Sequence, residues 1–190
     1  MQLTMPTEAD LTQRLKAQDR EAMRQFYVLM AGYLTAVCHR YLREEEDVKD
    51  VLQESFIIIF SSIDQFEFRG EGSLKAWASR IVSNEALKAL RKDNVESPFS
   101  FIDHIPDTAD DDPEVDNVPA EIIQQFIRKL PPGYRAVFNL YVFEDKTHQE
   151  IAQILHIKES SSASQLHRAK EMLAREINEY KERIKNKEII

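Results

Sequence analysis

The sequence has one cysteine, Cys38, four glycines and no long apolar run among its 190 residues. A single cysteine excludes an intramolecular disulfide and a cysteine-based zinc site, and it is typical of a protein in a reducing cytoplasm. The longest apolar block, residues 56–60, is far shorter than the roughly 20 residues that span a bilayer. No basic segment followed by an apolar one opens the chain, so we expect no signal peptide and a cytoplasmic location.

The sequence also lacks the motifs that indicate an enzyme. No two of its five histidines stand four residues apart, and no His-Glu-x-x-His zinc motif is present. A phosphate-binding P-loop and a Gly-x-Ser-x-Gly nucleophile turn are absent as well. We therefore expect no catalytic residue, no metal site, no cofactor and no small-molecule substrate.

Acidic residues outnumber basic ones, 33 against 25, and the net charge of −8 arises in one segment. Residues 94–118 contain eight acidic residues, three prolines and no lysine or arginine. This composition favours an extended, flexible chain over a helix. We predict an acidic linker at 94–118 that joins two domains, residues 1–93 and residues 119–190, whose own charges nearly balance.

Apolar residues recur at helical spacing on both sides of this linker. No alternating pattern typical of a β-strand appears. The sequence therefore predicts an all-α fold of two small helical domains, with helices near residues 8–17, 19–41, 45–63, 73–92, 119–130, 134–143, 147–155 and 160–181.

The last two predicted helices have the spacing of a helix-turn-helix that reads DNA. Residues 147–150, Thr-His-Gln-Glu, form a capping box for the first of them. The outer face of the second carries hydroxyl and basic side chains suited to base edges and phosphates, with two more at its margins: Ser161, Ser164, His167, Arg168, Lys170 and Arg175. The alternative is the solvated face of an ordinary helical bundle. Since the face is only mildly basic, we expect weak DNA binding without a partner.

Motifs in both domains resemble the bacterial sigma factors. Residues 130–138, 147–155 and 166–170 are similar to region 4, residues 46–56 to region 2.2, and residues 68–77 with 80–84 to regions 2.3 and 2.4. A short acidic linker in place of a folded middle domain resembles the extracytoplasmic-function (ECF) group. His156 stands where relatives usually have glycine, and histidine tolerates the positive φ of such a turn better than most residues.

The resemblance implies a sigma factor that binds core RNA polymerase, recognises the −35 and −10 promoter elements and promotes DNA melting. It implies contacts with the β′ clamp coiled coil and the β flap of the polymerase, and regulation by an anti-sigma factor. The region 2.2 helix has a polar side that fits the clamp contact: Asp47, Asp50, Gln53, Glu54 and Ile57. An acidic surface face with one stray isoleucine is the alternative.

In relatives, the glycine loop of region 2 holds a flipped base of the −10 element. Here the loop and the helix that follows offer the matching residues: Arg69, Gly70, Glu71, Gly72, Ser73, Arg80, Ser83, Asn84, Lys88, Arg91 and Lys92. Helical phase predicts that Trp77 packs in the interior rather than stacking on a base. Phe66 and Phe68 are interpreted as packing residues that anchor the loop.

Two other functional classes stay open at this point. A stand-alone helix-turn-helix transcriptional regulator would bind duplex sites without polymerase, and a helical adaptor would use its acidic faces and bind no DNA. The linker itself has two interpretations: it occupies the RNA path of the polymerase, as in relatives, or it is a passive tether.

Overall fold

The chain is all-helical over the part that the computed structural model describes, residues 7–92, 116 and 118–187. These residues form eight α-helices and one short 3₁₀ turn, and they contain no strand. The chain divides into two compact units at Ala89–Leu90. The predicted all-α, two-domain fold is confirmed. Except for Asp116 and Val118, the predicted acidic linker lies outside the described residues.

The first unit contains α1 (Glu8–Lys16), α2 (Arg20–His39), α3 (Glu45–Ser62), the 3₁₀ turn Ile63–Gln65 and most of α4 (Ser73–Lys92). Helices α1 and α2 each begin with a side chain that accepts a hydrogen bond from a backbone N–H of the first turn. The Thr7 hydroxyl accepts from the Asp10 N–H at 3.2 Å, and the Asp19 carboxylate accepts from the Glu21 N–H at 2.8 Å. A side-chain hydrogen bond from Arg14 is the main reason why the pKa of Asp19 lies below its usual range.

The interior of the first unit is an aromatic and aliphatic cluster between α2 and α3. The Phe26 ring lies edge-on to two rings of α3, with centroids at 6.3 Å for Phe56 and 5.9 Å for Phe60. The side chains with no exposed surface include Leu15 of α1, Leu34 of α2 and Ile59 of α3, so all three helices contribute to one core.

The second unit contains α5 (Ala120–Lys129), α6 (Pro132–Val142), α7 (His148–Leu155) and α8 (Glu159–Lys187). Pro131 and Pro132 separate α5 from α6 because a proline ring cannot continue the hydrogen-bond ladder of the preceding helix. The core that α5 shares with α8 is built from six buried side chains: Phe126, Ile127, Leu130, Ala169, Leu173 and Ile177.

Helix α8 is longer than its pattern predicts. It begins at Glu159, which the sequence places in the turn, and it extends to Lys187 rather than Lys181. Helix α5 lies beside this end of α8: the Tyr180 ring meets the Phe126 ring at 6.1 Å, Lys129 pairs with Glu176 at 2.7 Å, and Ile184 borders the same groove as Phe126. Tertiary contacts with α5 therefore stabilise a segment whose own sequence is mostly polar.

Candidate polymerase and promoter interfaces

The glycine loop between the 3₁₀ turn and α4 has a defined backbone. Gly70 has φ +115° and Gly72 has φ +88°, a region that side-chain-bearing residues rarely adopt. The Ser73 hydroxyl donates to the Gly70 carbonyl at 2.6 Å and accepts from the Arg69 N–H at 3.2 Å. Ser73 is thus occupied in holding the turn together, and its predicted contact with a base would have to replace these bonds.

A carboxylate from α1 fixes the other side of this loop. Glu8 accepts from the Gly72 N–H at 2.7 Å and, through its second oxygen, from the Leu74 N–H. The first N–H groups of a helix have no partner within the helix and favour a negative charge. Glu8 therefore fills the anion position at the start of α4.

A shallow cleft of about 520 Å³ opens beside the loop. Its aromatic wall is Phe66 and Trp77, whose ring centroids are 5.1 Å apart. Phe66 is buried, whereas Trp77 is only partly buried, so the prediction of an interior tryptophan holds for its contact with Phe66 but not for the part of its surface that lines the cleft. The cleft also contains Arg69, Ser73 and Arg80. An aromatic wall beside guanidinium and hydroxyl groups has the composition that stacks and hydrogen-bonds an unstacked base.

Phe68 is the exception among the loop aromatics. The sequence interpretation places it inside as a packing residue, and this is wrong, because its side chain is 40% exposed. The period-2 spacing of Phe66 and Phe68 in an extended segment puts only one of them against the interior, and it is Phe66 that packs on Trp77.

Helix α4 places most of its predicted DNA contacts on the surface. Arg80, Asn84 and Lys88 are exposed, and Lys88 pairs with Glu85 at 3.1 Å. Ser83 is different: it is 1% exposed, so the strand contact predicted for its hydroxyl is not available on this surface. Arg91 is partly buried, and Lys92 is the last residue of the helix.

Helix α3 separates its apolar and acidic sides as the sequence predicts. Val48, Phe56 and Ile59 are buried, whereas Asp50, Gln53 and Glu54 are exposed and Asp47 is partly exposed. Ile57 lies on the acidic side and is 54% exposed. Single exposed apolar residues are common on protein surfaces, so α3 by itself fits both the predicted docking face and the alternative of an ordinary acidic surface.

A groove between α2 and α3 continues this surface. Its volume is about 530 Å³, and it contains Ile57 together with Leu52, Phe56 and, from α2, Tyr27. The Tyr27 ring lies 4.8 Å from the Phe56 ring and is 52% exposed. The predicted docking residues are therefore one edge of a larger, partly aromatic surface.

The turn between α7 and α8 forms with histidine in the glycine position. His156 has φ +55° and ψ +45°, and the N–H of Ile157 donates to the Ala152 carbonyl at 3.0 Å. This is the left-handed helix end that usually carries glycine. The expectation that histidine supports the turn is confirmed.

The capping box of α7 is present with both of its hydrogen bonds. The Thr147 hydroxyl accepts from the Glu150 N–H at 3.2 Å, and the Glu150 carboxylate accepts from the Thr147 N–H at 2.9 Å. This backbone hydrogen bond is the main cause that holds the pKa of Glu150 below its usual range. The start of α7 is fixed independently of the rest of the unit.

The outer face of α8 carries its charges in pairs. Arg168 contacts Glu171 at 2.9 Å, and His167 Nε2 lies 3.6 Å from the same carboxylate. Arg175 is exposed, and Ser161, Ser164 and Lys170 are partly exposed. Glu171 lowers the positive potential of this face, which agrees with the expectation of weak DNA binding without a partner.

Comparisons with known proteins agree with the order of these sites. The family model for sigma-70 region 2 matches residues 26–95, and the model for sigma-70 region 4 matches residues 120–173. The chain belongs to the ECF subfamily of the sigma-70 RNA polymerase sigma factors. The alternative of a stand-alone regulator is not favoured, since both regions occur in one chain in the sigma-factor order.

Two curated ECF sigma factors are similar to the chain over most of its length. Factor SigW of Bacillus subtilis (strain 168) is 25% identical over 87% of this chain and 94% of the relative. The sigma-E factor of Haemophilus influenzae is 27% identical over 90% of this chain and 95% of the relative. Among solved structures, RpoE of Bartonella quintana, in complex with the anti-sigma factor NepR, has a TM-score of 0.49 and 20% identity, covering 82% of this chain and 96% of that chain.

Sequence reasoning missed several residues that build these sites in the sigma factor. Glu8 lies outside the region 2 match, and no local pattern indicates that its carboxylate reaches residues 72–74. Buried polar residues of the second unit were missed as well. Ser162, on the second turn of α8, is fully buried and its hydroxyl lies 3.0 Å from His148 Nδ1. The run of serines from 160 to 162 conceals that the last one faces inward.

The sigma factor has no cluster of three histidine, cysteine or acidic side chains that could hold a metal ion among its described residues. Cys38 is buried, and burial raises the pKa of its thiol to about 12. A buried, protonated thiol is poorly reactive. None of the helices in the described ranges combines the length and apolar character of a membrane span.

Proposed function

We propose that this ECF sigma factor binds core RNA polymerase through α3, recognises the −10 element with the glycine loop and α4, recognises the −35 element with α8, and promotes DNA melting. We assign residues 1–93 to region 2, residues 94–118 to the linker and residues 119–190 to region 4. The observation that carries the proposal is a hydrogen-bonded double-glycine loop beside an aromatic cleft, in one chain with a helix-turn-helix.

Melting requires a base to leave the stack, which costs a few kcal/mol. Part of that cost is recovered if the base stacks in a pocket, and base–aromatic stacking contributes about 1–3 kcal/mol. Trp77 and Phe66 supply the aromatic wall here, with Arg69 and Arg80 on the polar side. Asn84 and Lys88, both exposed on α4, lie one and two turns beyond Arg80 and are placed to follow the same strand.

The acidic side of α3 supports the docking assignment. We propose that Asp47, Asp50, Gln53 and Glu54 contact basic groups of the β′ clamp coiled coil, and that Ile57 and the adjoining groove bury apolar surface against it. The β flap is proposed to contact the second unit. The same proposal includes regulation by an anti-sigma factor and a cytoplasmic location. It also holds that the factor itself carries out no chemical step.

The decisive test of this function is dependence on core RNA polymerase. On a promoter mapped by transcript sequencing after overexpression, we expect tight binding and permanganate-reactive thymines only when core enzyme and the factor are both present. Tight binding of the factor alone to the duplex would indicate a stand-alone regulator. No effect of the factor on DNA, with or without core enzyme, would indicate a helical adaptor.

Replacing Arg168 with alanine is expected to weaken holoenzyme binding to a −35 duplex by about tenfold, because one specific arginine–base or arginine–phosphate contact contributes about 1–3 kcal/mol. The matched control is Arg183→Ala on the same helix. Arg183 lies outside the predicted reading face, and its Nε donates to the Glu179 carbonyl at 3.3 Å. Fluorescence anisotropy with labelled duplex measures both. Equal losses for the two variants would remove Arg168 from the interface.

A further inference from the structure

The hydrogen bonds of Glu8 tie the first helix of the chain to the glycine loop. Both carboxylate oxygens are used: Oε2 accepts from the Gly72 N–H at 2.7 Å, and Oε1 accepts from the Leu74 N–H. The partners are 64 and 66 residues away in sequence. A single side chain thus satisfies two N–H groups that flank Ser73, the first residue of α4.

Helix α1 holds the Glu8 carboxylate in place. Thr7 caps the helix, and Leu11 and Leu15 are buried against the rest of the unit. The Lys16 ammonium donates to the Asp64 carbonyl at 3.4 Å, a second contact between α1 and the segment that leads into the loop. Since α1 is packed along its length, Glu8 reaches Gly72 from a fixed position.

The loop depends on hydrogen bonds for its shape because its two glycines have no side chain and can adopt many backbone conformations. Gly70 and Gly72 both have positive φ, and a Cβ placed on either would meet no atom within 4 Å. No side chain packs tightly on these glycines, so hydrogen bonds at the two ends of the loop set its shape. Ser73 provides them on one side, and Glu8 provides them on the other.

We propose that Glu8 is a positioning residue for base capture: its carboxylate orders residues 70–74 before DNA arrives. The inference rests on the proposed role of this loop in holding a −10 base. A loop that is already ordered does not lose conformational freedom when the base enters, so more of the stacking energy is available for melting.

A second consequence concerns the kind of DNA group that the loop binds. The N-terminus of a helix is a common binding position for phosphate. In this protein the Glu8 carboxylate already occupies that position at α4. A backbone phosphate would be repelled there, so we do not expect the start of α4 to bind the strand backbone.

The test compares Glu8→Ala and Glu8→Gln with Asp10→Asn in the full-length chain bound to core RNA polymerase. Asp10 is a matched control because it is on the first turn of the same helix, is exposed, and loses the same charge. We expect Glu8→Ala to reduce open-complex formation roughly fivefold, because the loss of one helix cap typically changes an equilibrium constant by about this factor. Glu8→Gln retains one acceptor oxygen and should recover part of the loss. Asp10→Asn should match the wild type.

Two further measurements separate positioning from general stability. In the free protein, amide hydrogen exchange at Gly72 and Leu74 should accelerate in Glu8→Ala while exchange in the interior of α2 stays unchanged. On promoters that carry an abasic nucleotide, scanned along the −10 non-template strand, the difference between Glu8→Ala and wild type should disappear at the captured position.

A deficit of Glu8→Ala that persists at every abasic position would overturn the positioning role, because the loss would not depend on a captured base. If Glu8→Ala opens the promoter as well as wild type while Gly72→Pro does not open it, the positioning role of Glu8 is also overturned. Base capture by the loop would then still stand. Normal opening by both variants would instead contradict the proposed function of the loop itself, and the positioning role with it.

Discussion

Gly72→Pro is expected to reduce promoter opening by about thirtyfold or more, with the affinity for core RNA polymerase within about twofold of wild type. Proline fixes φ near −65°, whereas Gly72 has φ +88°. Proline also removes the N–H that Gly72 donates to Glu8. Backbone strain of about 1–3 kcal/mol and a lost hydrogen bond to a carboxylate of about 1.5–3 kcal/mol together support an effect of this size.

The measurement is permanganate reactivity of thymines around the start site, with core affinity determined separately by competition. Gly72→Ala is the graded variant, since it keeps the N–H and meets no atom within 4 Å, yet is strained by the positive φ. Gly32→Ala is the control: Gly32 lies inside α2, has open space around it and has no positive φ, so alanine there is expected to be neutral. Normal opening by Gly72→Pro would refute the assignment of this loop to base capture.

The core affinity of Gly72→Pro shows whether this substitution changes only the loop or the whole first unit. Strain at Gly72 is expected to change the loop and the first turn of α4, while α3, which carries the proposed docking face, packs mainly on α2. A parallel loss of core affinity would therefore show that the whole unit has unfolded. Comparing the thermal midpoints of Gly72→Pro and wild type identifies that case directly.

Local patterns made most of the fold predictable. The capping box at Thr147 and Glu150 needs only four residues, and the turn at His156 needs one residue that accepts positive φ. The apolar stripe of α3 likewise follows from a period of 3.6 residues. In each case the deciding hydrogen bonds or contacts lie within one or two turns of the chain, so the sequence pattern contains them.

The errors occur where distant segments decide the outcome. Helix α8 extends to Lys187, where its last turns border a groove that α5 also lines, and nothing in residues 181–187 predicts that neighbour. Ser83 has the polarity of a surface residue but is buried. Glu8 is the clearest case, because its two partners are more than 60 residues away and glutamate in the first turn of a helix has an ordinary local explanation.

Reversing the charges of Asp50 and Glu54 to lysine is expected to weaken binding to core RNA polymerase at least tenfold. Both side chains are exposed on one side of α3. Placing two like charges against a basic partner replaces attraction by repulsion, which costs several kcal/mol in protein interfaces. Native-gel titration or fluorescence competition with core enzyme measures the dissociation constant.

The control for net charge is Glu179→Lys with Glu182→Lys, two exposed positions on α8 in the other unit. Salt dependence then distinguishes the charged from the apolar part of the surface. The deficit of the double reversal on α3 should shrink as ionic strength rises, since exposed charges are screened beyond about 10 Å at 0.1 M salt. A loss in Ile57→Ala should persist at high salt, because Ile57 contributes by burial.

These two responses are expected from one surface because Ile57 and Glu54 lie within a turn of each other on α3. If the double charge reversal loses core affinity in a salt-sensitive way but Ile57→Ala loses none, the charges act by long-range attraction to the polymerase and α3 is not docked on it. Unchanged affinity in both variants would place the polymerase contact elsewhere on the first unit. In that case the partly aromatic groove that includes Tyr27 would be the next surface to vary, since Tyr27 adds further exposed apolar surface from α2.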